Sequence, residues 1–129
     1  MPTVLIVEDD ADLREIMSII VGYLGYEVVT AGDGLDGLKM AKSLKPDLII
    51  LDLMMPTAGG DLTLGFMRST DSLKHIPVIV ISAHQKADVI AEKLDAQAII
   101  RKPFEMEHLR EQIRYYVEEW PNTRQTPHH

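Results

Sequence analysis

Three stretches of this chain are apolar at nearly every position and then stop at a polar residue. Thr3-Val4-Leu5-Ile6-Val7 runs into Glu8-Asp9-Asp10, Leu48-Ile49-Ile50-Leu51 into Asp52, and Val78-Ile79-Val80-Ile81 into Ser82. A strand with one wet face alternates apolar and polar side chains. A strand that is apolar throughout is buried on both faces. Such strands need cover above and below, and the segments between them supply it. Leu13, Ile16, Met17, Ile20 and Leu24 recur at helical spacing, and Gly25 follows where a left-handed helix end is expected. A short β-branched strand is predicted over 27–30. A helix over 35–44 is stopped by Pro46. Pro56, Gly59 and Gly60 mark a loop before a short helix over 61–68. A weak helix over 87–94 leads to a strand over 98–100, closed by Lys102-Pro103. Met106, Leu109, Ile113, Val117 and Trp120 line a final helix.

Five strands alternating with five helices imply an α/β fold, a parallel sheet with right-handed crossovers and helices on both faces. The 129 residues suffice for one domain, here 1–120, with a polar tail over 121–129 expected to be disordered or tag-derived. Thirteen Lys and Arg against twenty Asp and Glu leave a net charge of −7, which argues against direct nucleic-acid binding. No apolar run is long enough for membrane insertion. The absence of cysteine excludes thiol chemistry and fits a cytoplasmic setting.

In sheets of this kind ligands bind beyond the carboxyl ends of the strands. That is where Glu8, Asp9, Asp52, Ser82 and Lys102 fall. Gathered on one edge, three carboxylates repel one another, and folding alone gives no reason to collect them. A hard divalent cation resolves the repulsion. Mg²⁺ fits best, because it accepts a few carboxylates and keeps open positions for phosphate oxygens. Lys102 adds a compact second cation and Ser82 a hydroxyl donor. This inventory suits phosphoryl transfer. Asp52 is the candidate nucleophile, since the adjacent Glu8 and Asp9 are better placed as metal ligands.

Taken together, Val4 to Asp10, Pro46 to Pro56, Val80-Ile81-Ser82-Ala83 and Lys102-Pro103-Phe104 resemble the receiver domains of two-component response regulators, over about residues 3 to 119. The resemblance implies a flavodoxin-like, doubly wound sheet in the order 2-1-3-4-5. It implies that Asp52 accepts a phosphoryl group from a histidine kinase or phosphotransfer protein. Glu8, Asp9, Asp52 and the Met54 backbone carbonyl would hold Mg²⁺. Ser82, the Ala83 backbone N–H and Lys102 would meet the phosphoryl oxygens, and the Lys102–Pro103 bond would be cis. The output would be a changed face of helix 4, strand 5 and helix 5, read by a downstream protein or by a second copy in a homodimer. The resemblance thus implies a phosphoprotein signalling module of a phosphorelay, with no enzymatic activity expected beyond promoting its own phosphorylation and dephosphorylation. As the sequence ends after helix five, it is expected to be a stand-alone receiver or a piece of a longer regulator.

Three places depart from the family pattern. Ile99 stands at the usual aromatic switch position. Leu94-Asp95-Ala96-Gln97-Ala98 replaces the usual Gly-Ala turn before strand five, so that turn is expected to differ. Ala58-Gly59-Gly60 is expected to make its loop more flexible. Met54 and His84 occupy positions that face the phosphate. Two other readings remain at this point. One is a degenerate receiver that only binds partners. The other is a small Mg²⁺-dependent phosphatase-like enzyme using an aspartyl phosphate, which would need a second acid where Met54 stands.

Overall fold

A computed structural model describes residues 1–55 and 59–121. Pro56 and Ala58 of the predicted loop lie outside the described residues, as does the tail from 122 onward. The strands are β1 (Thr3–Val7), β2 (Glu27–Ala31), β3 (Leu48–Asp52), β4 (Val78–Ser82) and β5 (Ala98–Arg101). The helices are α1 (Ala11–Tyr23), α2 (Gly34–Leu44), α3 (Gly60–Ser69), α4 (Ala87–Lys93) and α5 (Met106–Arg114). The five strands form one sheet in the order β2-β1-β3-β4-β5, and every pairing is parallel.

Strand side chains alternate between two cores. Val4, Ile6, Leu48, Ile50, Ile79, Ile81 and Ile100 pack with Met17, Ile20 and Val21 of α1 and Leu109 and Ile113 of α5. Leu5, Val7, Ile49, Leu51, Val78 and Val80 pack with Ala41 of α2, Leu64 and Met67 of α3, and Ala87 and Ala91 of α4. β3 and β4 are buried at all five positions, as their unbroken apolar runs require. The apolar face of α1 sits one step round from the expected stripe. Val21 is buried, while Ile16 is 41% exposed at its flank.

The predicted stop at Gly25 is real. Gly25 has φ +87°, its N–H donates to the Gly22 carbonyl at 3.0 Å, and the Tyr26 N–H donates to Val21 O at 3.4 Å. This paired pattern satisfies carbonyls at the helix end. α4 ends in the same way, with Asp95 in the place that Gly25 takes after α1. Asp95 has φ +56°, its N–H donates to Glu92 O at 3.3 Å, and the Ala96 N–H donates to Ala91 O at 2.9 Å. An aspartate therefore holds a conformation that glycine adopts without steric cost. Asp95→Gly is expected to stabilise the chain by about 0.5 kcal/mol, the relief of left-handed strain minus glycine's larger entropy loss. A urea titration that shows no gain, or a loss, contradicts this account of the turn.

α2 ends at Leu44 as expected, with Lys45 at φ +48° capping it just before Pro46. One further difference concerns a helix end. α5 passes into a π-helical turn over Tyr115–Glu119, and Pro121, expected to open the tail, is still helical. The turn is tied to the sheet side at two points. The Tyr26 hydroxyl donates to Glu118, and the Tyr116 hydroxyl donates to the Gln97 carbonyl at 2.9 Å. A π turn carries one extra residue, which re-aims the side chains beyond it.

Candidate functional site

β1 and β3 end side by side, so Glu8 and Asp52 emerge together at the carboxyl edge. Period-two alternation puts Glu8 in line with Ile6, Asp52 with Ile50, and Lys102 with Ile100, all on the α1–α5 side. The Lys102 ammonium lies 3.2 Å from Glu8 Oε1 and 3.2 Å from Asp52 Oδ2. Glu8 is 1% exposed and Asp52 3%. The adjacent exposed Asp9 completes a cluster in which one carboxylate oxygen from each of Glu8, Asp9 and Asp52 lies within 4.8 Å of the others. The third neighbouring acid has a different task. Asp10 caps α1, accepting from the Asp12 and Leu13 N–H groups at 2.9 and 3.2 Å.

Backbone donors hold the two buried carboxylates. The Asp10 N–H donates to Glu8 Oε2 at 3.2 Å, and the Met54 N–H donates to Asp52 Oδ1 at 2.9 Å. Met54 lies two residues past β3 with its side chain 56% exposed. Ser82 is fully buried at the end of β4, and Ala83 is exposed just beyond it. By alternation Ser82 follows Val78 and Val80, toward the α3–α4 side and not the side of Asp52. Its hydroxyl accepts the His84 N–H at 2.9 Å. The Lys102–Pro103 bond is cis, as the resemblance implies. Ile99, at the usual aromatic position, is half-buried and packs on the core beneath α3 and α4.

The electrostatics record the crowding. Burial, then the hydrogen bond and charge of Asp52, push Glu8 from its ordinary 4.5 up to about 7, against the opposing pull of the Asp10 N–H and of Lys102. For Lys102, burial pulls downward, but the charges of Asp52 and Glu8 outweigh it and hold the ammonium above its ordinary range. The unfolded chain ionises Glu8 near 4.5 and the folded chain near 7. The contribution of Glu8 is therefore fully present below pH 4.5 and is lost as pH rises through 7. Without metal, stability should fall by about 3 kcal/mol across that interval. Urea midpoints in EDTA between pH 4.5 and 8 measure it, and a flat or rising profile contradicts it.

The donor set fits a hard divalent cation: carboxylate oxygens only, mutually repulsive, on one edge. Sequence reasoning missed one part of this edge. Gly60, expected in a loop, is the first residue of α3, and its N–H donates to Leu53 O at 3.1 Å. A Cβ there would lie 2.2 Å from the Asp52 carbonyl oxygen. The glycine lets α3 abut the backbone that carries Asp52. The Gly59-Gly60 pair hinted at a special backbone, but not at its cause.

A family model described as the response regulator receiver domain matches residues 4–114. The polar-differentiation response regulator DivK of Brucella anthropi is 31% identical over 119 residues, covering 89% of this chain and 95% of DivK. The chain belongs to the response regulator receiver domain family. This receiver is also 34% identical over 116 residues to the DNA-binding dual master transcriptional regulator RpaA of Synechocystis sp., covering 88% of this chain. It spans about half of RpaA, 48% of that length. The chemotaxis protein CheY4 of Vibrio cholerae superposes with a TM-score of 0.83 at 28% identity, over 90% of this chain and 98% of that one. The receiver is thus a module of two-component signalling by phosphorylation, and the phosphatase-like and purely binding alternatives are not favoured. Among the described residues, no helix is long and apolar enough to cross a membrane.

Proposed function

We propose that Asp52 is the phospho-acceptor of this receiver, phosphorylated by a histidine kinase or a phosphotransfer protein in the cytoplasm. The observation that carries this reading is the Lys102 ammonium, held 3.2 Å from both Glu8 and Asp52 at the mouth of the acidic cluster. Of the three acids, Asp52 alone sits at the end of the central strand β3; like Glu8, it has a backbone donor on one oxygen and Lys102 on the other. The Asp52 carboxylate attacks the phosphorus of a phosphohistidine. The new O–P bond forms as the P–N bond breaks, and the imidazole leaves. Lys102 meets the transferred group's negative charge, and Ser82 and the Ala83 N–H offer further donors to its oxygens. Glu8, Asp9, Asp52 and the Met54 carbonyl are the residues that would hold Mg²⁺. When bound, that ion neutralises charge shared by carboxylate and phosphoryl oxygens.

Phosphorylation replaces the single charge of the Asp52 carboxylate with a phosphoryl group of about two, a net gain of about one negative charge in an already acidic pocket. The face of α4, β5 and α5 changes in response and binds a downstream protein or a second copy. Residues 1–120 form the receiver unit, with 121–129 as its tail. Acetyl phosphate with Mg²⁺ should label the native chain, EDTA should abolish labelling, and Asp52→Asn should remove at least nine-tenths of it. Equal labelling of the asparagine variant rejects Asp52 as acceptor.

A further inference from the structure

We propose that Arg101 is a positioning residue: from the edge strand β5 it clamps the carbonyl of His84, and the N–H of the same residue keeps the Ser82 hydroxyl engaged within its own turn. The inference rests on the reading of Asp52 as phospho-acceptor. Arg101 and Lys102 are neighbours with opposite tasks. Alternation sends Lys102 to the carboxylates and Arg101 to the α4 side, where its guanidinium reaches three acceptors. It donates to His84 O at 3.0 Å and to Gln85 O at 3.4 Å, and it pairs with Asp88 Oδ2 of α4 at 2.7 Å. His84 is thereby held at both ends of its backbone. Its carbonyl is gripped by Arg101, and its N–H is spent on Ser82 Oγ at 2.9 Å. Its ring is held as well, because Nδ1 accepts the Lys86 N–H at 3.0 Å.

The consequence falls on Ser82. Asp52 pairs in register with Ile81, so strand alternation assigns the next residue, Ser82, to the opposite face, and its hydroxyl oxygen accepts the His84 N–H. To meet a phosphoryl group on Asp52, the turn over 82–86 must move, and the fork of Arg101 opposes that movement. A rigid planar fork with several acceptors loses more when the loop shifts than a single flexible contact would. The clamp therefore biases the chain toward the arrangement in which Ser82 is withheld.

Two measurements test this together. Amide hydrogen exchange at His84 should be about fivefold faster in Arg101→Ala than in the native chain, with Arg101→Lys between them. The rate of labelling by acetyl phosphate should rise about threefold to tenfold in Arg101→Ala, a modest range because the guanidinium is 45% exposed. In a Ser82→Ala background the same substitution should leave the rate unchanged, since no hydroxyl remains to be released. The proposal is overturned by unaltered His84 exchange, by slower labelling, or by equal acceleration with and without Ser82. Should the native chain fail to label at all, the phosphorylation reading falls, and unaltered His84 exchange would still overturn the clamp by itself.

Discussion

Gly60→Ala is expected to destabilise the chain by about 3 kcal/mol. The added methyl would sit 2.2 Å from the Asp52 carbonyl oxygen, 2.5 Å from Leu53 Cα and 2.9 Å from Asp52 C. All three are backbone atoms, so no rotamer change relieves the contact. Either α3 lifts from the sheet edge, opening space beside the buried Thr63 and Leu64, or the end of β3 shifts and carries Asp52 with it. Both responses should also slow phosphorylation severalfold. Gly65, in the same helix, is the control. A Cβ there meets nothing within 4 Å, so Gly65→Ala should stabilise by about 0.5 to 1 kcal/mol through helix propensity alone. Urea denaturation of the two variants side by side separates steric cost from backbone entropy. Similar effects of the same sign would remove the steric account.

Lys102→Met should be almost as costly, and its cost should depend on pH. At pH 8 the substitution leaves Glu8 and Asp52 buried without the cation 3.2 Å from each, a loss of about 2 to 4 kcal/mol in metal-free buffer. At pH 5.5 the loss should shrink to about 1 kcal/mol. The carboxyl pair then takes up a proton instead of bearing two charges, because Glu8 already titrates at about 7 and rises further without the lysine. The penalty therefore grows as pH rises from 4.5 through that value. Labelling by acetyl phosphate should fall at least tenfold, since nothing replaces the ammonium against the incoming charge. Denaturation at the two pH values is the direct measurement, and an equal cost at both would mean that packing of the lysine stem, not its charge, holds the edge together.

The parts of the site written into the chain were those tied to strand ends. A buried strand must be apolar, so the first polar residue after it announces the sheet edge. Glu8, Asp52 and Ser82 could all be found in this way, and the helices between them forced the parallel arrangement. The left-handed end of α1 was equally plain, because glycine signals that backbone. The same turn after α4 was not, because Asp95 adopts it without the usual residue. Arg68 left no trace at all in the pattern. Its guanidinium donates to the carbonyls of Asp95, Lys74 and Ile76 and to the Gln97 side chain, joining three segments that hydrophobic periodicity treats as separate. The Gln97 oxygen also accepts the Val78 N–H at 2.7 Å, so the start of β4 depends on a side chain nineteen residues away.

By itself the sequence determined which segments are strands and helices, that the sheet is covered on both faces, and which polar residues stand at its carboxyl edge. These follow from local periodicity and from the cost of burying polar groups. Only the tertiary structure decided that one ammonium bridges two buried carboxylates, that α3 abuts the backbone of Asp52, and that Arg101 grips the Ser82 turn. Those contacts join residues up to 94 positions apart. They depend on the registers and angles at which packed layers meet, and a linear pattern does not encode such distances.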